Sequence, residues 1–335
     1  MGRDLAIDLG TANTLIYAAG HGIVFNQPTV IALNRKNGQV LAVGDEAFRM
    51  IGRTPGYIVA ERPLRRGAIS DFEITERYIR LLMEKAGVRK RMARVRVLIC
   101  IPSAITEVER RAVQDAAIAA GARSAYLIEE PVAAAIGAGL PIQEPTGNLI
   151  VDIGGGTSEV GVISMGGVVV NKSIRIGGFD IDDAISRHIR KEYAIVVGER
   201  TAEQIKIAIG SAFPLAEEEK AEIRGRDLAT GLPKTVQITS EEIREAIGDP
   251  VSQIVQAVIS ALAETPPELG QDILARGIAL TGGSGLLRGI QMRITEESEV
   301  PVHLTDRPLE CVVFGAGKCL ETLPVLKDLF VSSTP

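Results

Sequence analysis

The feature that most constrains this chain is an internal echo. Leu5-Ala6-Ile7-Asp8-Leu9-Gly10-Thr11 runs into Thr14-Leu15-Ile16-Tyr17. Much later, Leu149-Ile150-Val151-Asp152-Ile153-Gly154-Gly155-Gly156-Thr157 runs into Val160-Gly161-Val162-Ile163. Each copy reads as an apolar strand ending in Asp, a Gly/Thr turn, and a second strand. A further glycine turn follows in both, at Gly20 to Gly22 and at Gly166-Gly167, and then a third apolar run, 23–25 and 168–170. Two meanders of one design predict an α/β chain with two similar halves, each opening on a three-stranded antiparallel unit.

Helical periodicity fills the space between the strands. Residues 106–120 carry apolar positions at Val108, Ala112, Val113, Ala116 and Ala117 with charges between them. Residues 131–138 are Ala-rich and begin with Pro131, a good first-turn residue. Residues 179–193 and 201–212 are amphipathic, and Thr239-Ser240-Glu241-Glu242 has the form of a capping box. Residues 278–281 read as a buried strand that Gly282-Gly283-Ser284-Gly285 turns into a helix; 224–233 reads as a loop. Linker-like stretches lie at 140–147 and 305–309.

Composition excludes several functions. Net charge is -5, aromatics are 4% and Trp is absent, so neither a basic footprint nor stacking platforms for nucleic acid are present. Cys100, Cys311 and Cys319 lack CxxC spacing, and His21, His188 and His303 are dispersed, which speaks against a zinc site or disulfide framework and for free thiols in a reducing cytoplasm. No signal peptide is expected at the N-terminus, and no run reaches the ~18 apolar residues of a spanning helix. A soluble protein with only peripheral membrane contact is the expectation.

The repeated Asp-Gly/Thr turns carry the chemistry. Glycine lets backbone N–H groups approach phosphate oxygens closely. The loops Gly10-Thr11-Ala12-Asn13 and Gly154-Gly155-Gly156-Thr157 suit that use. Two carboxylates facing one phosphate chain would repel it unless Mg²⁺ sits between, held largely through water; Asp8 and Asp152 are the pair expected to organise it. A single Asp-Gly turn is ordinarily only a hairpin, but two copies opening two similar halves favour a phosphate clamp. Thr281 to Leu286 forms a third glycine loop after a strand, suited to a nucleotide contact. A Rossmann fingerprint fails there, because the spacing is one residue long and no following βαβ unit exists. Walker A fails too, since Gly317-Lys318 is followed by Cys319. Glu130, at a strand end before Pro131, is placed to orient a water; the bland alternative is an acid at a helix start.

In this order the pieces resemble the actin/Hsp70/sugar-kinase ATPase superfamily. Ile7-Asp8-Leu9-Gly10-Thr11-Ala12-Asn13-Thr14, Ile128-Glu129-Glu130-Pro131, Gly198-Glu199-Arg200-Thr201-Ala202-Glu203, Lys206-Ile207-Ala208-Ile209-Gly210 and Thr265-Pro266-Pro267-Glu268-Leu269 look like the MreB family of bacterial actins, and the likeness runs essentially end to end. The resemblance implies an actin-like fold of two ribonuclease H-like halves around a nucleotide cleft. It places the first domain at 1–145 plus 310–335, with a small subdomain at about 31–68. The second spans 146–309, with a small subdomain at about 181–248.

Site roles follow from the same resemblance. Thr11, Ala12 and Asn13 with Gly154, Gly155, Gly156 and Thr157 hold ATP phosphates. Glu203 and Lys206, three apart on one helix face, meet ribose and base, with Gln204 and Ile205 in the same segment. Gly283, Ser284, Gly285 and Leu286 border the adenosine. Glu130 positions the attacking water with help from Thr157, and Glu129 is a structural neighbour. Relatives often have a glycine triplet where Gly283-Ser284-Gly285 stands and two threonines where Thr157-Ser158 stands, which leaves the base contacts less defined than the phosphate contacts.

The family resemblance further implies a slow ATPase coupled to polymerisation, a homopolymer of paired protofilaments, and a place on the inner face of the cell membrane. Its expected partners are membrane-anchored cell-shape and peptidoglycan-synthesis proteins, in control of rod shape. An N-terminal membrane helix is not expected, because Asp4 leads directly into the first strand. The membrane loop then corresponds to Arg89, Lys90, Arg91, Met92, Arg94 and Arg96, basic in an acidic protein. A plasmid-segregation or organelle-positioning filament shares every nucleotide motif. An Hsp70-type chaperone is expected to need a peptide-binding domain after the ATPase, and a sugar or acid kinase an acidic base in a substrate pocket; neither is marked here.

Overall fold

The computed structural model of the protein describes residues 4–87 and 95–321. Five of the six expected membrane-loop residues, Arg89, Lys90, Arg91, Met92 and Arg94, lie outside the described residues. Arg96 belongs to the sheet instead. It opens the strand Arg96–Ile101, and its backbone N–H and Nε donate to Asp4 at 3.0 and 2.9 Å.

The echo in the sequence becomes two sheets of identical plan. In the first, Leu5–Leu9 pairs antiparallel with Asn13–Ala18, which pairs with Gly22–Pro28; on its other side Leu5–Leu9 pairs parallel with Arg96–Ile101 and that with Ser124–Glu129. In the second, Asn148–Ile153, Ser158–Ser164 and Gly167–Ile174 form the meander, and Ile278–Thr281 and Val302–Leu304 extend it in parallel. Even the register shifts correspond, at Ile16/Tyr17 and at Val162/Ile163. The first strand of each sheet is near-continuously apolar because both of its faces are covered.

Two three-stranded sheets sit apart from these. Gln39–Val43, Ile31–Asn34 and Ile58–Glu61 form one; Ile195–Val196, Lys220–Asp227 and Pro233–Thr239 form the other. Residues 224–227, expected in a loop, are strand, and only 228–232 turn. The single buried side chain in this segment, Ile223, gives little alternation to read, while pairing from Lys220↔Thr239 to Arg226↔Pro233 satisfies the backbone.

Local chemistry starts the helices where expected. Thr106 caps Glu107–Ala119 and Thr239 caps Ser240–Ala246, each with a complete capping box, worth about 1 kcal/mol per cap. Glu199–Ile209 stops at Gly210, three residues short of the expected 212, because Gly210 is extended (φ -67°, ψ 138°). After Ile278–Thr281 comes one 3₁₀ turn, Gly283–Leu286, and the α-helix proper begins at Ile290. Among the described residues no single helix is long and apolar enough to cross a membrane.

Each half has its own core, and a third apolar cluster joins them. In that joint the helix Glu130–Gly137 packs on Cys311–Glu321. Two glycines permit the crossing. A methyl group on Gly315 would run into the Ala133 carbonyl and come 2.8 Å from the Gly137 N, and one on Gly137 would run into the Cys311 carbonyl. The obstacles are backbone atoms that cannot swing aside. Gly315→Ala is therefore expected to destabilise the protein by about 2 kcal/mol in urea titration, overpacking outweighing the helix-propensity gain of about 1 kcal/mol. Gly270→Ala, in open space on Pro267–Arg276, is expected to be neutral or stabilising.

Candidate functional site

The first strands of the two sheets end facing one another. Asp8 and Asp152 each occupy the penultimate position of their strand, at Leu5–Leu9 and Asn148–Ile153. The loops that follow line one cleft of about 390 Å³, within the range of small-molecule sites. The two loops press together. A methyl group on Gly155 would come within 2.5 Å of the Ala12 Cβ, and one on Gly156 within 2.7 Å of the Thr11 Oγ1. Only glycine lets both backbones meet there.

Hydrogen bonds hold each loop from behind. The Thr29 backbone N–H donates to Ala12 O at 2.8 Å and its hydroxyl to Gly10 O at 2.6 Å. The Gly67 N–H donates to the Thr11 Oγ1 at 3.0 Å. In the second loop Gly154 N donates to Thr157 O at 2.9 Å. The Gly154 carbonyl accepts from Gly178 N at 3.0 Å and from the Ser284 Oγ at 2.9 Å. The Ser284 bond attaches the third glycine loop to the second.

Three carboxylates converge on the floor of the cleft: Asp8, Asp152 and Glu130. Glu130 begins its helix and is buried, at 9% exposure. Burial, reinforced by Asp152, pushes the Asp8 carboxyl up to about 7; burial pushes Asp152 up to about 7 as well. Burial, then the charges of Glu159, Asp152 and Asp8, hold Glu130 well above the usual carboxylate range. Such concentrated negative charge fits a hard divalent cation with oxygen ligands. Among the described residues no group of three or more acidic, His or Cys side chains makes a complete metal cage. That matches Mg²⁺, which keeps waters and phosphate oxygens and takes only one or two carboxylates.

The structure brings most of the expected residues to this cleft. Thr11, Ala12 and Asn13 line it from one side, and Gly154 to Thr157 from the other. Glu203, Lys206, Gly283, Ser284 and Leu286 line the far end. Three expected residues are elsewhere. Ile205 is buried in the core of the second half, Gln204 is exposed and turned off the cleft, and Gly285 packs behind its loop against Leu280. Helix geometry explains the first two. Positions 203, 206, 207 and 210 share one face of Glu199–Ile209 and its cap, so Ile207 and Gly210 line the cleft where Gln204 and Ile205 cannot. Ile207 (71% exposed), Leu286 (48%) and Leu309 (48%) offer an open apolar wall, the chemistry expected against a base. Lys206 is held in place by an ion pair to the buried Asp182 at 2.9 Å and by donation to Gly178 O at 3.2 Å.

Side chains from both halves close the mouth. Arg62 pairs with Glu199 at 2.5 Å and stacks its guanidinium 4.3 Å from the Phe179 ring centroid. Arg66, at φ +49°, pairs with Asp180 at 2.8 Å. These residues, with Glu159 below the floor, went unassigned from sequence. Only their distant partners mark them out.

The raised carboxyl groups give a pH dependence. Asp8 and Asp152 lie at about 7 in the folded protein, against 3.8 ordinarily. Their neutral forms favour folding, so the stability they lend is present below about pH 4 and is lost as pH rises through 7. In EDTA, without nucleotide, the thermal midpoint should fall from pH 5 to pH 8; Asp152→Asn should flatten that fall, and Mg²⁺ with nucleotide at pH 8 should reverse it.

Known proteins resemble this chain over nearly its whole length. Residues 2–328 match the family model described as MreB/Mbl protein. The cell shape-determining protein Mbl of Bacillus subtilis is 49% identical over 324 residues, 97% of each chain. The cell shape-determining protein MreB of Escherichia coli is 50% identical over 326 residues, 96% of this chain and 94% of that one. Among solved structures, MreB5 of Spiroplasma citri bound to ADP superposes with a TM-score of 0.91 at 39% identity, covering 98% of both chains. The same protein bound to AMPPNP gives 0.90 at 38%. A chain of the MamK double helical filament gives 0.81 over 96% of this chain and 99% of that one; at 20% identity it establishes the actin-like fold alone. By sequence and fold together, the chain belongs to the MreB/Mbl family.

Proposed function

We propose that the protein is an ATP-dependent cytoskeletal polymer that determines cell shape. The single observation that carries this is the pair of glycine loops, one from each half, meeting over buried Asp8 and Asp152. The MreB5 relative whose fold this chain shares was solved with ADP and with AMPPNP, and the relatives in Bacillus subtilis and Escherichia coli bear cell-shape names.

Thr11, Ala12 and Asn13 and the loop 154–157 hold the phosphates. Ile207, Leu286 and Leu309 hold the base, and Glu203 and Lys206 the ribose. Mg²⁺ would be held by Asp8 and Asp152 with waters, and when bound it neutralises charge on the phosphates. Glu130 orients the attacking water, and Thr157, from the opposite half, helps fix it. Because the water site draws on both halves, closure completes it. Nucleotide binding favours the closed form by its differential affinity, and self-association selects that form.

Two experiments test the core of this reading. Purified protein with ATP and Mg²⁺ should scatter light above a threshold concentration; no scattering under any nucleotide condition would refute a polymer. Glu130→Ala should bind nucleotide within about twofold of the parent, yet release phosphate slower by on the order of 10²-fold or more. Equal release rates would remove Glu130 from the role.

Membrane association, and with it guidance of cell-wall synthesis through membrane-anchored partners, rests on the basic segment Arg89, Lys90, Arg91, Met92 and Arg94. Each Lys or Arg near anionic lipid contributes about 1 kcal/mol, and a polymer multiplies such weak sites by avidity. Reversing Arg89, Lys90 and Arg91 to Glu should abolish pelleting with phosphatidylserine vesicles while leaving light scattering intact. Unchanged pelleting would place the membrane contact elsewhere.

A further inference from the structure

Beneath the cleft floor lies a carboxylate that the sequence leaves unassigned. Glu159, in the strand Ser158–Ser164, is completely buried. A buried carboxyl costs several kcal/mol unless its oxygens find donors, and both do. The Oε1 accepts from the Ser173 hydroxyl at 2.5 Å, within the same half. The Oε2 accepts from the Ser103 backbone N–H at 3.2 Å, which belongs to the other half, just past the strand Arg96–Ile101.

The connection continues. The Ser103 hydroxyl donates to the Glu129 Oε2 at 3.0 Å, and Glu129 is the N-cap residue of the helix that Glu130 begins. Two hydrogen bonds thus link a strand of the second half, through Ser103, to the side chain of Glu129, the residue before Glu130. A third contact lies on the same strand face. Residues 159 and 161 point the same way in a strand, and a methyl group on Gly161 would come 2.8 Å from the Pro131 Cβ. So Glu159 and Gly161 together form the surface on which the start of the Glu130 helix rests. After burial, the Glu159 charge is the largest influence raising the Glu130 carboxyl.

We infer that Glu159 is a positioning residue for hydrolysis: through Ser103 and Glu129 it holds Glu130 in register with the phosphate loop of the opposite half. This rests on the reading of Glu130 given above. Glu159 does not line the cleft. It fixes, across the junction between halves, where the water-orienting carboxylate stands. A displacement of about 1 Å at such a group costs on the order of 10²-fold in rate, so the tie is expected to act on turnover and not on nucleotide affinity.

The test uses the full chain at a concentration where the parent assembles, with phosphate release and nucleotide affinity measured for each variant. Glu159→Ala leaves the Ser103 N–H and the Ser173 hydroxyl without their partner. It should lower the saturated rate by about 10- to 100-fold, with KM and nucleotide affinity within about twofold. Glu159→Gln keeps the shape and can accept from Ser103, so it should recover most of the lost rate. Ser103→Ala cuts only the step to Glu129 and should lower the saturated rate several-fold at unchanged KM; it decides the matter if Glu159→Ala does not fold. Parent-like rates in Glu159→Ala or Ser103→Ala, a loss expressed in KM, or a Gln variant as slow as the Ala variant would each overturn the inference. Glu130→Ala, run alongside, separates the two claims. If Glu130→Ala turns over at the parent rate, the reading of Glu130 falls. If it is slow while Ser103→Ala and Glu159→Ala are not, only the positioning role falls.

Discussion

Everything in this protein depends on two acidic strand ends being forced together. Asp8 and Asp152 stand at equivalent places in two sheets of identical plan, and the loops beyond them touch through glycine at 155 and 156. Placing buried carboxylates opposite one another is unfavourable: burial drives both toward the neutral form, reinforced at Asp8 by the charge of Asp152. In the proposed function, a divalent cation and a phosphate chain in the cleft would make the arrangement favourable, and each half would contribute one side of the site.

Contacts elsewhere join the two sides. The two halves are joined below the cleft where Gly161 of the second meets Pro131 of the first, at the start of a helix that Gly315 and Ala133 pack tightly against Cys311–Glu321. The halves meet again above the cleft through Arg62 with Glu199 and Arg66 with Asp180. The lower joint is closely packed. The upper contacts are ion pairs between partly exposed side chains, individually weak.

Glu130 and Glu159 illustrate how chemistry draws on both regions. Glu130 lies on the first half, and its proposed role brings it to phosphates held by the second. Its helix is seated on the second half by Pro131, and the serine at 103 bonds to Glu159 and Glu129 at once. The site is a product of the joint between halves, and neither half contains it alone.

Much of this was legible in the chain. The repeated Asp-Gly/Thr turns named the two-half plan, the two loops that line the cleft and both aspartates beneath them, because strand alternation and turn chemistry are local properties. The capping box at Thr239 and the apolar spacing after Thr106 fixed helix starts to within a residue for the same reason. What the linear order could not decide was which residues face each other. Gln204 and Ile205 were grouped with Glu203 and Lys206 by adjacency, whereas the helix turned Ile205 into the core and Ile207 into the cleft. Residues 224–227 gave too little alternation to read as strand until a partner strand supplied the hydrogen bonds. Nothing local to Glu159 marks it as buried, and one of its oxygens finds its donor in Ser103, 56 positions away. Sequence alone determined the parts and their order, since those rest on neighbours along the chain. Only the tertiary structure decided which carboxylates are buried together, because that depends on groups brought into contact across more than a hundred residues.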